Sequence, residues 1–255
     1  MQYSSLYHPA NYYRACSLQI DLDTRLKALH DHRTGPLSEK NGLNMTLFLD
    51  SASARDARSA FAYDFVGGIT TNPSLLAKIN RPAEEVIAEL CEIAKGTVFY
   101  QLQADDPSAR KSEGERMLNL IPGRVGLKIP CTRENLQLAA EFAARGHVVG
   151  VTAIFSPAQV YLACEAGARY VLPYVNRSTR LLGDGPGLVR QMRAVIDALG
   201  SPLEIIAASV KTPQEAVDTV LAGAHHLTLP LAVIDAMAQH DLSDEAIEAF
   251  ARAGK

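Results

Sequence analysis

From Met45 onward the chain alternates between short β-branched runs and stretches with helical periodicity. Alternating strands and helices predict a parallel sheet, because each helix carries the chain back to the start of the next strand. Eight runs have strand character: MTLFLD, VGGITT, TVFYQLQ, RVGLKIP, HVVGVTA, RYVLPYV, LEIIAAS and HHLTLPL. Eight such units predict an α/β fold, a closed (β/α)8 TIM barrel forming a single catalytic domain over residues 45–255.

Helix boundaries support this division. Gly146, Gly167 and Gly223 each stand shortly before a strand, where a helix that has just ended favours a left-handed residue. Ser156-Pro157 places a cap residue before a proline at the first helical position. Residues 212–215, TPQE, do the same and predict a capping box.

An open, doubly wound sheet is the competing architecture. That fold favours a glycine-rich dinucleotide loop after its first strand, and LDSASARDA contains no glycine. The closed barrel is therefore the better prediction.

Composition excludes several classes of partner. The net charge of -3 gives no general attraction to nucleic acid or to an anionic membrane. No apolar run is long enough to span a bilayer, and the first residues lack the apolar core of a secretory signal. The cysteines form no CxxC pair, so neither a zinc site nor a disulfide framework is predicted. We expect a cytoplasmic protein.

Residues 1–44 differ from the rest in being polar and rich in Tyr and His. They contain one short helical pattern, LDTRLKALHDH, and too few apolar residues to bury a core. We expect a poorly structured N-terminal extension or a misassigned start codon. A partner-binding arm is the alternative.

Polar side chains gather at one end of the predicted barrel. Side chains of a barrel strand alternate between the outer helices and the lumen, and we place the more apolar set outward. In the seventh strand this puts Ile206 and Ala208 outward and Ser209 inward. Asn72 and Arg177 directly follow the second and sixth strands. The polar residues predicted to face inward are Asp50, Gln101, Lys128, Thr152, Tyr174 and Ser209.

These residues lie near the carboxyl ends of their strands, where barrel enzymes place their active sites. A single lysine at such a position also fits a structural ion pair. A whole ring of hydrogen-bonding groups favours a binding site, because buried polar groups need partners.

Lys128, in RVGLKIP, is the predicted nucleophile. Burial lowers the pKa of a lysine, and the free amine can attack a carbonyl to form a Schiff base. The iminium withdraws electrons from the neighbouring C–C bond, so an aldol bond breaks or forms without a metal or other cofactor. Asp50 is the predicted proton carrier at a substrate hydroxyl. The remaining inward groups that could hold one water are Gln101, Thr152 and Tyr174.

Lys211 is the competing nucleophile. It lies at the start of a predicted helix, and helix N-termini bind anions. We therefore predict that Lys211, Arg177 and Ser209 bind a phosphate, whereas Lys128 reacts. A solvated loop charge is the alternative for Lys211. His225 and His226 lie at the start of a strand, hence at the opposite end, and we expect structural roles for them.

Residues 45 to about 250 resemble the transaldolase family, and within it the fructose-6-phosphate aldolase branch. The matching motifs are FLD, GITTNPSLL, FYQ, LKIPCT, GVTAIFSPAQ, AGARYVLPYVNR, AASVKTP and AGAHHLTLPL. The resemblance implies a (β/α)8 barrel with the Schiff-base lysine at Lys128, proton transfer by Asp50, and substrate or water contacts at Asn72 and Thr152. It further implies phosphate binding by Arg177, Ser209 and Lys211, and a ring-shaped homo-oligomer.

Two positions indicate the branch. Members that act as transaldolases tend to have Glu in place of Gln101 and Phe in place of Tyr174, whereas the aldolase branch has Gln and Tyr. A tyrosine hydroxyl adds an acid/base group that phenylalanine lacks. We expect a Schiff-base aldolase that converts ketose phosphates such as fructose 6-phosphate to dihydroxyacetone and glyceraldehyde 3-phosphate. The alternatives are a transaldolase that transfers dihydroxyacetone units and a non-catalytic phosphosugar-binding barrel.

Overall fold

The computed structural model describes residues 46–254. The predicted N-terminal extension, residues 1–44, and its boundary at Met45 lie outside the described residues. Within residues 46–254, no helix combines the length and the apolar character needed to cross a membrane.

Eight parallel strands close into a barrel in sequential order, and the first strand pairs with the last. This confirms the predicted (β/α)8 fold. The strands are β1 (Leu47–Asp50), β2 (Val66–Thr70), β3 (Val98–Gln101), β4 (Val125–Pro130), β5 (Val149–Ile154), β6 (Tyr170–Pro173), β7 (Glu204–Ala207) and β8 (His226–Leu229).

Helices follow every strand. Those of the described region are α1 (Ala54–Phe61), α2 (Pro73–Leu76), α3 (Ala83–Ile93), α4 (Pro107–Leu120), α5 (Arg133–Ala144), α6 (Pro157–Glu165), α7 (Val175–Leu182), α8 (Gly185–Leu199), α9 (Pro213–Leu221), α10 (Leu231–Met237) and α11 (Asp241–Ala253). The three glycines predicted to end helices all have positive φ, at 82°, 68° and 101° in chain order.

Capping differs between the two predicted helix starts. Ser156 and Gln159 form a complete capping box at α6. At α9, Thr212 accepts from the Glu215 N–H, but the Glu215 carboxylate accepts from the Lys211 N–H rather than from Thr212. The reciprocal half of the predicted box is therefore replaced by a bond to the preceding loop.

The core has an outer layer between strands and helices and a small inner cluster within the barrel. The inner cluster is an aromatic and aliphatic plug of four buried residues: Phe48, Phe99, Leu172 and Ile206. The assignment of Ile206 to the outer face was wrong, since Ile205 and Ala207 join the outer layer instead. Ala208 lines the cavity described below, so it is also inward-facing.

At the amino ends of the strands, His225 and His226 have structural partners. His225 Nδ1 accepts from the Ile205 N–H at 2.9 Å, and His226 Nδ1 accepts from the Thr46 N–H at 2.9 Å. The proton of His226 must then sit on Nε2, which faces the Glu204 carboxylate at 3.2 Å. Both imidazoles lie far from the carboxyl-end cavity, as predicted.

Candidate active site

A cavity of about 560 Å³ opens at the carboxyl ends of the strands. Eight of the predicted site residues line it: Asp50, Asn72, Gln101, Lys128, Tyr174, Arg177, Ser209 and Lys211. Thr152 does not line the cavity; it is fully buried behind Tyr174, to which it donates a hydrogen bond.

The plug forms the floor of this cavity, as the strand period shows. Asp50, Gln101 and Tyr174 each lie two residues beyond a plug residue: Phe48, Phe99 and Leu172. Side chains two apart on a strand point to the same face, so the cavity residues form the next layer above the plug. In β4 the lower position is Gly126, where an added Cβ would lie 2.8 Å from the Phe99 ring. The missing side chain makes room for that ring beneath Lys128.

Lys128 is almost completely buried, with 2% of its surface exposed. Its Nζ donates to the Thr71 carbonyl oxygen at 2.9 Å. Burial lowers the pKa of Lys128, because the charged form is poorly solvated, and the negative charge of Asp50 partly opposes this shift. The arrangement favours the neutral amine that Schiff-base chemistry needs.

Asp50 faces the same cavity. Its Oδ1 accepts a hydrogen bond from the Thr70 hydroxyl at 3.0 Å, and Thr70 also lies 2.7 Å from the Thr228 hydroxyl. Burial raises the pKa of Asp50, and the opposing influences are Lys128, the Thr70 bond and Lys211. A carboxyl group with a raised pKa is a stronger base than an ordinary aspartate, which suits it to proton transfer at a substrate hydroxyl.

Tyr174 and Gln101 also line the cavity, and Thr152 contacts Tyr174 from its buried position. The Thr152 hydroxyl donates to the Tyr174 hydroxyl at 3.3 Å, and Phe155 packs edge-to-face on the tyrosine ring at 5.8 Å. Gln101 Oε1 is buried, and no donor within residues 46–254 reaches it. Since buried acceptors are nearly always paired, this oxygen can take a hydrogen bond from a water or a substrate hydroxyl.

Asn72 has a divided role. It is the N-cap of α2, where its Oδ1 accepts from the Leu75 N–H at 3.0 Å. The amide oxygen is thus committed to the helix, which leaves Nδ2 as the group that can donate into the cavity.

The predicted phosphate side is formed by the start of α7 and the loop after β7. The Arg177 guanidinium lies 4.9 Å over the Tyr174 ring, and Arg177 and Lys211 are exposed. Ser209 adopts a left-handed conformation, φ 58°, and lies beyond the end of β7. It reaches the cavity through this turn and not by strand alternation, on which the prediction was based.

The start of α9 offers less to an anion than we expected from sequence. The Lys211 N–H is bonded to Glu215, and the Glu215 N–H is bonded to Thr212. Side chains must therefore supply most of any phosphate contact here.

Three contributors were missed from sequence. Thr70 and Thr71, which hold Asp50 and Lys128 in place, lie within the quoted TTNPS motif and were treated only as part of it. Lys78 lines the cavity although it lies beyond α2, where no sequence pattern points inward.

Comparisons with known proteins identify relatives of this chain. The sequence profile of the Transaldolase/Fructose-6-phosphate aldolase family matches residues 47–254. A probable transaldolase from Caulobacter sp. (strain K31) is 38% identical over 206 residues, which cover 81% of this chain and 94% of the relative. A probable transaldolase from Geotalea uraniireducens (strain Rf4) is 38% identical over 206 residues, covering 81% of this chain and 96% of the relative.

A solved structure is similar in fold alone. A thiamine phosphate pyrophosphorylase from Pyrococcus furiosus superposes with a TM-score of 0.52 at 13% identity. The match covers 73% of this chain and 85% of that one.

Proposed function

Because the chain belongs to the transaldolase/fructose-6-phosphate aldolase family, we propose that it is a Schiff-base aldolase that cleaves or forms ketose phosphates such as fructose 6-phosphate. Membership of the family makes it an enzyme, so the non-catalytic barrel is set aside. The observation that carries the proposal is the buried Lys128 amine, which lines a polar cavity and whose pKa is lowered by burial.

The Lys128 amine attacks the C2 ketone of the substrate, and loss of water from the carbinolamine gives an iminium ion. Asp50 removes the proton of the C4 hydroxyl, the C3–C4 bond breaks, and its electron pair passes into the iminium to give an enamine. Glyceraldehyde 3-phosphate leaves at this point. Protonation of the enamine carbon and addition of water then release dihydroxyacetone and restore the amine.

Tyr174 is the group that favours cleavage over transfer. Its hydroxyl accepts from Thr152 and therefore keeps its own proton directed away from that partner, available for a water or for the enamine. Gln101 Oε1 is a free acceptor for the same water. Protonating the enamine ends the cycle as an aldolase, whereas an enamine that waits for a second aldehyde acts as a transaldolase.

The substrate phosphate is proposed to bind Arg177, Ser209 and Lys211 at the rim, and Asn72 to contact a substrate hydroxyl. Transfer of the dihydroxyacetone unit to an acceptor such as erythrose 4-phosphate is the second candidate function, because the relatives described above are named probable transaldolases. Turnover without an added acceptor separates the two: an absolute requirement for acceptor aldehyde supports transfer.

Borohydride trapping tests the covalent step. Incubation with fructose 6-phosphate followed by reduction should leave a stable adduct on the peptide that carries Lys128. Lys128→Met should abolish the adduct, and Lys211→Met should keep it. An adduct on Lys211, or none in the wild type, would refute the proposal.

We also propose that the protein is a cytoplasmic homo-oligomer. In the single chain α11 buries none of its residues, and its exposed apolar side chains are Leu242, Ile247 and Phe250. A second copy of the chain is the proposed partner of this helix. Sedimentation of wild type and of Phe250→Glu tests this: dissociation in the variant supports it, and a monomeric wild type refutes it.

A further inference from the structure

Glu215 connects the two segments that carry the proposed phosphate-binding side chains, the start of α7 and the loop after β7. Its Oε1 accepts from Asn176 Nδ2 at 2.8 Å, and its Oε2 accepts from the Lys211 N–H at 2.7 Å. Asn176 directly precedes Arg177 in the first turn of α7, and Lys211 lies in the loop after β7. One carboxylate thus holds both segments through one bond each.

Backbone bonds align the same two segments just below this contact. The Val175 and Asn176 N–H groups donate to the Ala208 and Ser209 carbonyl oxygens at 2.9 and 3.0 Å. This pairing joins the start of α7 to the loop after β7, and Glu215 adds a second connection about one residue farther along the loop. The Arg177 and Lys211 side chains are exposed, so their separation depends on how firmly the helix start and the loop are held together.

The charge of Glu215 argues against a direct role in anion binding. Both oxygens are occupied by neutral donors, and Glu215 forms no salt bridge with any cation of the described region. A carboxylate at this rim repels a phosphate. Geometry is what the residue can contribute, since its charge alone would weaken binding.

We propose that Glu215 is a positioning residue for the phosphate end of the substrate. It sets Arg177 at the start of α7, and Ser209 and Lys211 in the loop after β7, as a single anion site. The inference rests on the proposed function, and it adds a determinant of selectivity for phosphorylated over unphosphorylated ketoses.

The experiment measures selectivity, the ratio of kcat/KM for fructose 6-phosphate to kcat/KM for fructose. Glu215→Gln keeps one acceptor oxygen and should lower the ratio about tenfold, the value of one lost bond to a charged group. Glu215→Ala loses both bonds and should lower the ratio further. The effect should lie mainly in KM for the phosphorylated substrate.

Asp218→Asn is the matched control. Asp218 lies on the same helix as Glu215 and accepts from Gln214 Nε2, and its carboxylate bonds to neither Asn176 nor Lys211. This variant removes an equal charge and should leave the ratio at the wild-type value. A lower KM for fructose 6-phosphate in Glu215→Gln would show that charge, not geometry, dominates, and would overturn the proposal. An unchanged ratio in Glu215→Ala would do the same.

Calorimetry with inorganic phosphate provides a readout that needs no turnover. The Kd should rise about tenfold in Glu215→Gln relative to wild type and to Asp218→Asn. Equal Kd values, or no binding to the wild type, would overturn the inference. Failure of borohydride trapping on Lys128 would instead overturn the proposed function, and calorimetry would still decide the role of Glu215.

Discussion

Lys128 and Asp50 face one cavity without forming a salt bridge: the amine donates to the Thr71 carbonyl, and the carboxylate accepts from the Thr70 hydroxyl. Burial moves the pKa of Lys128 down and that of Asp50 up, so both groups are displaced toward their neutral forms. Thr70, the last residue of β2, holds Asp50, and Thr71, the next residue, holds Lys128. This arrangement supports the proposed proton exchange with a substrate, because neither group is neutralised by the other.

Asp50→Asn should shift the acid limb of Schiff-base formation to lower pH. The negative charge of Asp50 raises the pKa of Lys128, so its removal lowers that pKa further and keeps the amine neutral at lower pH. The rate of cyanoborohydride-trapped adduct formation, measured against pH, checks this. Asp218→Asn serves as the distant control and should show no shift. An acid limb that moves to higher pH would contradict the electrostatic coupling between Asp50 and Lys128.

The same Asp50→Asn variant should lose turnover by about 10²–10⁴-fold, the usual contribution of a general acid/base. Trapping should survive better than turnover, because Asn still accepts from Thr70 and the amine remains in place. Equal loss of trapping and turnover would mean that Asp50 acts in forming the imine and not in breaking the C–C bond.

Tyr174→Phe should convert the enzyme toward transfer. Loss of the hydroxyl removes the proposed proton donor to the enamine, so cleavage without an acceptor should fall by roughly 10²-fold. Transfer to erythrose 4-phosphate should fall less, and the ratio of transfer to cleavage should rise. Thr152→Val, which removes the donor to Tyr174, should act in the same direction but more weakly. A Tyr174→Phe enzyme with wild-type cleavage would rule out this role.

Substitutions at Ser209 separate the effect of its left-handed backbone from the effect of its hydroxyl. Its φ of 58° is costly for any residue except glycine, by about 1–2 kcal/mol. Ser209→Ala and Ser209→Gly both lose the hydroxyl, so KM for fructose 6-phosphate should rise by a similar factor in the two variants. Urea unfolding should find Ser209→Gly more stable than Ser209→Ala, by about 1 kcal/mol. The reverse order would argue against the left-handed turn.

His226 should make folding stability depend on pH. Burial lowers its pKa below the ordinary 6.5, against the opposing influence of Glu204. As pH falls below about 6.5 the unfolded chain takes up a proton that the folded chain does not, so stability is lost on the acid side. In His226→Gln the urea midpoint should depend less on pH between pH 7 and 5.5. The free energy of unfolding should also be lower than that of the wild type by about 1–3 kcal/mol at pH 8. If the urea midpoint of the variant depends on pH as strongly as that of the wild type, another group is responsible, and His225 is the first candidate.

The barrel and most of its inner face could be predicted because five strands have polar and apolar residues on opposite sides. In VGLKIP, for example, only one phase directs Lys128 into the barrel and Leu127 and Ile129 toward the outer helices. The seventh strand, LEIIAAS, has one polar residue on each face, Glu204 beside Ile206 and Ser209 beside Ala207, so its phase was ambiguous and Ile206 was placed outward. Packing against Phe48, Phe99 and Leu172 decides that phase, and such contacts are not encoded locally.

The site was predicted less completely than the fold. Strand alternation brought Asp50, Gln101, Lys128 and Tyr174 together correctly, as the lining of the cavity shows. Residues outside the strands escaped this rule: Ser209 enters through a positive φ, and Glu215, in the first turn of α9, bonds to the preceding loop instead of closing its capping box. Backbone turns and contacts between separate loops carry no period, which is why sequence patterns miss them.

The hydrophobic layer of Phe48, Phe99, Leu172 and Ile206 gives the reaction chamber a blind end. The opening at the carboxyl-terminal rim is therefore the expected route for substrates and products. In the proposed transfer reaction an outgoing aldehyde and an incoming one would share that passage, so departure would have to precede arrival.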